Sequence, residues 1–264
     1  MLIDTHCHLD AAEFDGDREA VMAAARAAGV AGFLVPAVGV ADFDAVEALA
    51  ATHADCRHAF GIHPMYVRQA RDGDLDVLRA RLAEGAAVAV GEIGLDGYVA
   101  DGDMPLQLRY FEAQLKLARD FDLPVVLHVR RAQDAILKHL RRVAVPGGIA
   151  HAFNGSAQQA EAFIKLGFRL GFGGTMTFDG SRRIRELATS LPLSAIVLET
   201  DAPDMPPQWL YQPAAARAQG QAQERNSPVE LPRIATLLAS LRNLTEPDWQ
   251  AQTYANTLAA LPRL

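Results

Sequence analysis

Two cysteines in 264 residues leave no disulfide framework to build, so the fold must rest on a hydrophobic core and a reducing cytosol suits the chain. Basic residues are in deficit: 25 Lys and Arg stand against 32 Asp and Glu, a formal charge of -7. That balance excludes a protein that coats nucleic acid or an anionic membrane nonspecifically, because both partners favour a basic surface. No run reaches the ~18–20 apolar residues that a bilayer span requires. The nearest, the uncharged stretch Ala27 to Ala41, is interrupted by Gly29, Gly32 and Pro36, and no charged-then-apolar secretory leader is expected before it. Apolar residues are plentiful overall, with 50% of the chain hydrophobic and 22% charged. A chain of this length buries roughly 70–75% of its unfolded surface. The expectation is a soluble cytoplasmic protein, one domain over residues 1–264.

Short β-rich runs alternate with helical patterns along the whole chain. The runs are Leu2–His6, Gly32–Val38, Arg57–His63, Ala87–Glu92, Pro124–His128, Gly148–His151, Arg169–Gly173 and Ala195–Thr200. Helical stretches between them carry ordinary start and stop signals, such as Asp17 to Gly29, Asp74 to Gly85, Pro105 in a first turn, and Ser156 to Gly167. Ser227-Pro228-Val229-Glu230 reads as a capping box with proline at the first helical position. Eight strands separated by helices imply parallel pairing through right-handed crossovers. The length matches a closed (β/α)8 TIM barrel. A doubly wound open sheet is the second choice, but no Gly-x-Gly-x-x-Gly follows the first strand. The Pro-, Gln- and Ala-rich stretch Ala202 to Ser227 is too long for an ordinary connection, and reads as a site-covering loop or a disordered insertion.

In such a barrel the active face lies at the C-terminal strand ends. The first strand ends in His6-Cys7-His8, which places both imidazoles on one face. The fourth run is apolar until it delivers Glu92, a carboxylate costly to bury without a cation or hydrogen bonds. The fifth run ends in His128, the sixth in His151, and the eighth in Glu199-Thr200-Asp201. One such residue is commonly a satisfied core histidine or a helix cap. Six at matching positions (His6, His8, Glu92, His128, His151, Asp201) point instead to a metal site. Imidazole with carboxylate suits a divalent ion such as zinc or manganese, and six ligands exceed one tetrahedral site. Two ions are the economical reading, with Glu92 bridging through its two oxygens. Cys7 and Cys56 read as buried, unreactive thiols. His53, His58 and His139 lie within or beside helices, off the strand ends, and carry no assignment.

His6-Cys7-His8, Gly61-Ile62-His63-Pro64, Gly91-Glu92-Ile93-Gly94-Leu95-Asp96 and Leu198-Glu199-Thr200-Asp201-Ala202-Pro203 resemble the signatures of TatD-type metal-dependent hydrolases. These are barrels of the amidohydrolase type, and several members are deoxyribonucleases. The resemblance runs from Ile3 to the helices after Asn226. Gly173-Gly174-Thr175, the Asp201–Pro206 segment and the double arginine after His128 most resemble the YjjV-like branch. By resemblance the same six residues are metal ligands, and His63 faces the site as a substrate-binding residue rather than a first-choice ligand. The family's usual His-Ser-Arg-Asp appears here as His128-Val129-Arg130-Arg131, so Arg130 is kept while serine and aspartate are replaced. Asn154 also stands where a serine is usual, and Trp209 to Gln223 exceeds the usual loop.

The resulting expectation is metal-assisted phosphoester hydrolysis, with a deoxyribonuclease acting on DNA ends or short single strands. The cofactors are two divalent metal ions, zinc, manganese or magnesium. Asp201 and Glu92 are the catalytic candidates, Asp201 as ligand and general base, and Arg130 clamps a phosphate oxygen if its strand continues past His128. Trp209 and Tyr211 stack bases or, more simply, anchor their loop, while Arg182, Arg183 and Arg185 touch a backbone phosphate or form a solvated helix face. The same cage suits an amide, lactone or ester hydrolase, since fold does not fix substrate; a non-catalytic metal-binding module is the third class. Charge argues for a weakly held nucleic acid; no membrane partner is expected, and the oligomeric state is left open with a monomer favoured.

Overall fold

The structure, a computed structural model, describes residues 1–99 and 102–264. Each β-rich run forms a strand: β1 (Leu2–Asp4), β2 (Val30–Pro36), β3 (Cys56–Phe60), β4 (Ala89–Asp96), β5 (Val125–Arg130), β6 (Gly148–Ala150), β7 (Phe168–Phe172) and β8 (Ile196–Leu198). The helices are α1 (Arg18–Ala27), α2 (Phe43–Thr52), α3 (Asp74–Ala83), α4 (Met104–Asp120), α5 (Gln133–Leu140), α6 (Ala157–Lys165), α7 (Arg182–Ser190), α8 (Ala214–Ala218), α9 (Leu231–Leu241) and α10 (Glu246–Ala260). All seven sequential strand pairs are parallel, in the order β1 to β8. The sheet curls until its ends meet: the Thr5 N–H and hydroxyl both donate to the Leu198 carbonyl, at 3.1 and 3.0 Å. This is the (β/α)8 barrel, and the doubly wound alternative is excluded.

Alternation along the strands sorts the core into two layers. Leu34, Ala59, Val126, Ile149 and Val197 form the inner layer, and Ala260 at the end of α10 and Leu261 just after it pack into it. Phe33, Phe60, Leu127, Ile196 and Leu198 belong to the outer layer beneath the helices. Each such side chain removed fully from water contributes about 1.5–3 kcal/mol. Asn256 on α10 donates to the carbonyls of Leu193 and Ile196 at the start of β8, both at 2.8 Å. The C-terminal turn therefore plugs the barrel at the end opposite the strand C-termini.

Several boundaries differ from the sequence reading. β1 stops at Asp4, so His6 and His8 lie beyond it. They converge because the following main chain is interlocked: Cys7 N–H donates to Leu34, His8 N–H to Ala202, and Asp201 N–H to His6, at 3.1, 2.7 and 2.8 Å. β4 runs past Glu92 to Asp96, and β5 continues to Arg130. His58 lies on β3, buried against Phe60, and not in or beside a helix. Ser156 does form a capping box with Gln159. The box expected at Ser227 does not form: Ser227 caps Val229 in a short 3-10 turn before α9, while Glu230 turns away to accept from Trp209 Nε1 at 2.6 Å. That bond, with Arg233 stacked 4.0 Å from the Trp209 ring, anchors the long Ala202–Ser227 stretch. Gln223 spans the same stretch, accepting from Gln212 N–H and donating to the Leu210 carbonyl. No helix among the described residues is long and apolar enough to cross a membrane.

Candidate metal centre

At the C-terminal mouth the structure brings together all six residues singled out in the sequence, with His63. Glu92 lies at their centre, 2% exposed. Its Oε2 faces His6 Nε2 at 3.2 Å and His8 Nε2 at 3.7 Å. Its Oε1 faces His151 Nε2, His128 Nδ1 and His63 Nε2 at 2.9, 3.0 and 3.3 Å. Asp201 Oδ1 completes the first side, 3.6 Å from His6 and 3.7 Å from His8. Three groupings have ligand atoms close enough to share an ion: His6, Glu92 and His151; His6, His8 and Asp201; and His63, Glu92 and His128.

The donor set fits a divalent cation. The Nε2 atoms of His6 and His8 approach to 3.2 Å, two nitrogens directed at each other and at two carboxylates in a largely buried pocket. A cation, or a proton on one ring, must reconcile them. His63 is different. Its Nδ1 accepts from the Met65 N–H at 3.1 Å, so the neutral ring carries its proton on Nε2, the atom facing Glu92. As a neutral ring His63 is a donor to Glu92, in keeping with a site-facing role.

Electrostatics sharpen the division. Burial pushes the His6 imidazole down to about 3. Burial opposes charge on His151 too, but Glu92 beside it lifts that ring to about 10. Burial would raise the Glu92 carboxyl, yet His63, His151, His6 and the His128 hydrogen bond hold it well below the usual range. Burial raises Asp201 above the usual carboxylate range.

Three acidic residues in contact with this cluster escaped the sequence reading. Asp96 Oδ2 holds His128 Nε2 at 2.9 Å, the kind of outer partner that orients a ligating imidazole. Glu199 accepts from the Ala152 N–H at 2.5 Å and lies 3.8 Å from His151 Nδ1; burial raises its carboxyl to about 8. It fits only because position 171 is glycine, whose Cβ would lie 2.0 Å from Glu199 Oε2. Asp4 joins the β1–β8 seam, accepting from the Thr200 N–H and hydroxyl at 2.9 and 2.5 Å, and burial raises it to about 7. The signal was available: each is a carboxylate beside an apolar strand, the same reasoning that singled out Glu92.

Arg130 is exposed at the end of β5, on the same face as His128, 3.9 Å from Asp96. Trp209 serves as the loop anchor. Tyr211 lies edge-on to Phe178, 5.3 Å between centroids, and is 42% exposed. Arg183 donates to the Asn154 side chain and carbonyl, Arg185 to Asp179, and Arg182 is exposed. Cys7 and Cys56 are buried and free, and burial lifts the Cys56 thiol to about 12.

The family model described as TatD related DNase matches residues 3–262. An Escherichia coli K12 protein, described as the uncharacterized metal-dependent hydrolase YjjV, is 41% identical over 263 residues, 98% of this chain and 96% of its own. The crystal structure of E. coli YjjV, a TatD homologue, superposes with a TM-score of 0.91 at 38% identity, covering 100% of this chain and 98% of that one. A Klebsiella pneumoniae protein described as the 3'-5' ssDNA/RNA exonuclease TatD is 33% identical over 260 residues, 97% of this chain and 95% of its own.

Proposed function

The chain belongs to the TatD related DNase family and is a metal-dependent hydrolase of that family; from this premise we propose that it cuts phosphoester bonds at DNA ends or in short single strands, with two divalent cations as its cofactor. The supporting observation is the division of Glu92 between two sets of ligands, Oε2 toward His6, His8 and Asp201, Oε1 toward His128 and His151. His6, His8, Asp201 and Glu92 would hold one ion; Glu92, His128 and His151 would hold the other. The chemistry such ions would supply there is Lewis acidity, which would lower the pKa of a water and offset charge on the attacked phosphate.

The protein's own groups do the rest. Asp201, its proton affinity raised by burial, takes the proton of the attacking water. Glu92 holds the two halves of the centre in register. His63 donates from Nε2 and orients Glu92. Arg130 extends past His128 and forks onto a non-bridging phosphate oxygen. Asp96 fixes the His128 ring, which would otherwise rotate about its side-chain bonds. The relatives described as ssDNA/RNA exonucleases favour a polynucleotide as the phosphoester. A net charge of -7 limits the grip to a few nucleotides and makes the salt dependence of binding shallow.

The test is a time course on end-labelled single- and double-stranded DNA with chelator-stripped protein refilled with Mg²⁺, Mn²⁺ or Zn²⁺. Stepwise shortening of the single strand under at least one ion is expected. No cleavage under any ion, with a carboxylate freed from an ester or lactone panel instead, overturns the phosphoester reading.

A further inference from the structure

Beside the ligand cluster, the mouth carries a second group of side chains that the ions do not use. Tyr98 follows β4 directly and is 52% exposed. The guanidinium carbons of Arg130 and Arg131 lie 3.9 and 4.6 Å from its ring centroid. Among the described residues neither guanidinium donates a hydrogen bond to a protein acceptor. Among the described residues the one carboxylate paired with Arg130 is Asp96, at 3.9 Å, and Asp96 is already engaged by His128 and by the Tyr98 and Val99 N–H groups. Arg18, Arg26, Arg81 and Arg225, by contrast, commit their guanidiniums to protein oxygens.

The arrangement is built, not incidental. The Gly97 N–H donates to the Arg130 carbonyl at 2.7 Å, and a Cβ on Gly97 would lie 2.7 Å from the Arg131 carbonyl oxygen. Glycine there lets the loop after β4 close onto the end of β5. Arg131 adopts φ +51°, a left-handed conformation that a non-glycine residue keeps only under constraint. The Tyr98 backbone is fixed by the same carboxylate that fixes His128, so ring and guanidiniums are registered to the centre. The exposed tyrosines Tyr66, Tyr98 and Tyr211 all sit on loops leaving the C-terminal ends of strands. An aromatic face flanked by two guanidiniums that donate no hydrogen bond among the described residues is what an unpaired base and its phosphate need.

We propose that Tyr98, Arg130 and Arg131 form a subsite for the nucleotide adjoining the scissile phosphate of a single strand. The base stacks on Tyr98, Arg131 contacts that nucleotide's phosphate, and Arg130 bridges toward the metal centre. The inference rests on the polynucleotide reading above. It also assigns a reason for the arginine at position 131, where the resemblance leads one to expect aspartate. A duplex cannot offer its bases to Tyr98, so the subsite selects single strands.

Binding is measured by fluorescence anisotropy with metal-loaded, full-length protein and a labelled oligodeoxythymidylate of about eight nucleotides, phosphorothioate-linked and shown intact on a gel. Tyr98→Ala is expected to raise Kd about tenfold and Tyr98→Phe to restore it. Arg131→Ala is expected to lower the slope of log Kd against log salt by about 0.7. Arg142→Ala, removing an exposed arginine just past α5, is expected to leave that slope unchanged. Undetectable binding, an unchanged Kd and slope in both mouth variants, or an equal effect of Arg142→Ala overturns the subsite. Cleavage is scored separately: a strand bound through Tyr98 and Arg131 yet never cut rejects the nuclease reading and leaves the subsite standing.

Discussion

Asp96 reaches no ion in the proposed centre, yet it decides how one histidine can serve there. With His128 Nε2 held at 2.9 Å, only Nδ1 remains to face Glu92. Asp96→Asn is therefore expected to weaken metal binding about 10- to 100-fold, read by calorimetric titration of stripped protein with Mn²⁺, while the melting temperature of the stripped form stays nearly constant. An unchanged affinity would mean that packing alone orients His128. The residue scale is also where sequence reading succeeded unevenly. His6, His8, Glu92, His128, His151 and Asp201 were legible because a strand of small apolar residues ending in one ionisable group is a conspicuous pattern. Asp96 was not, because the apolar run reads as ending at Glu92, four residues before the strand does. Asp4 and Glu199 carried no assignment, Asp4 lying inside the Leu2–His6 run and Glu199 beside the more suggestive Asp201.

Among the elements, α1 is tied to the start of β3 by one fork: Arg26 Nε and Nη2 donate to the two Asp55 oxygens at 2.7 and 2.9 Å. The Arg26 hydrogen bonds hold the Asp55 carboxyl below its usual value. A carboxylate depressed in the folded state adds stability above its unfolded pKa, ~3.9, and loses it as pH falls through the folded value. Asp55→Asn is thus expected to cost up to about 1 kcal/mol at pH 7 and to converge with the parent in urea titrations as pH falls from ~3.9 through the lowered folded value of Asp55, where the parent carboxylate also becomes neutral. A constant difference across that range would assign the loss to packing. The long loop makes a separate prediction. Glu230→Ala removes the acceptor of Trp209 Nε1, and trypsin cleavage after the exposed Arg217 is expected to speed up roughly tenfold. The strands were readable from composition to within a few residues, as were the start of α1 and the Ser156 box. The Ser227 box was misread because Glu230 had a better partner, the indole of a residue 21 positions away, and local spacing carries no information about such a competitor.

Over the whole molecule, stability is divided between the two ends of the barrel. The lower end is an apolar layer plugged by Ala260 and Leu261, whereas the upper end gathers six ionisable side chains around one buried carboxylate, Glu92. Cations bound at the upper end would offset that crowding only in the folded state. Chelation is expected to lower the melting temperature by about 5–10 °C, the shift for a ligand near 100 times its Kd on a chain of this size. Calorimetry with and without EDTA reads it, and no shift would separate the centre from folding. The eightfold alternation, the strand order and the position of the mouth all follow from the pattern of apolar runs. The plug does not, since nothing local to Leu261 marks it as the floor of a barrel formed by residues far earlier in the chain.

That floor gives the barrel one opening. A strand cannot pass through it as rope passes through a ring, so the protein has no topological hold on a polymer and keeps it by contact alone. Whatever enters the mouth leaves by the mouth, and the released fragment shares its exit with the next end arriving. Under the proposed activity the molecule works as a cul-de-sac: departure of each product sets when the following cut begins.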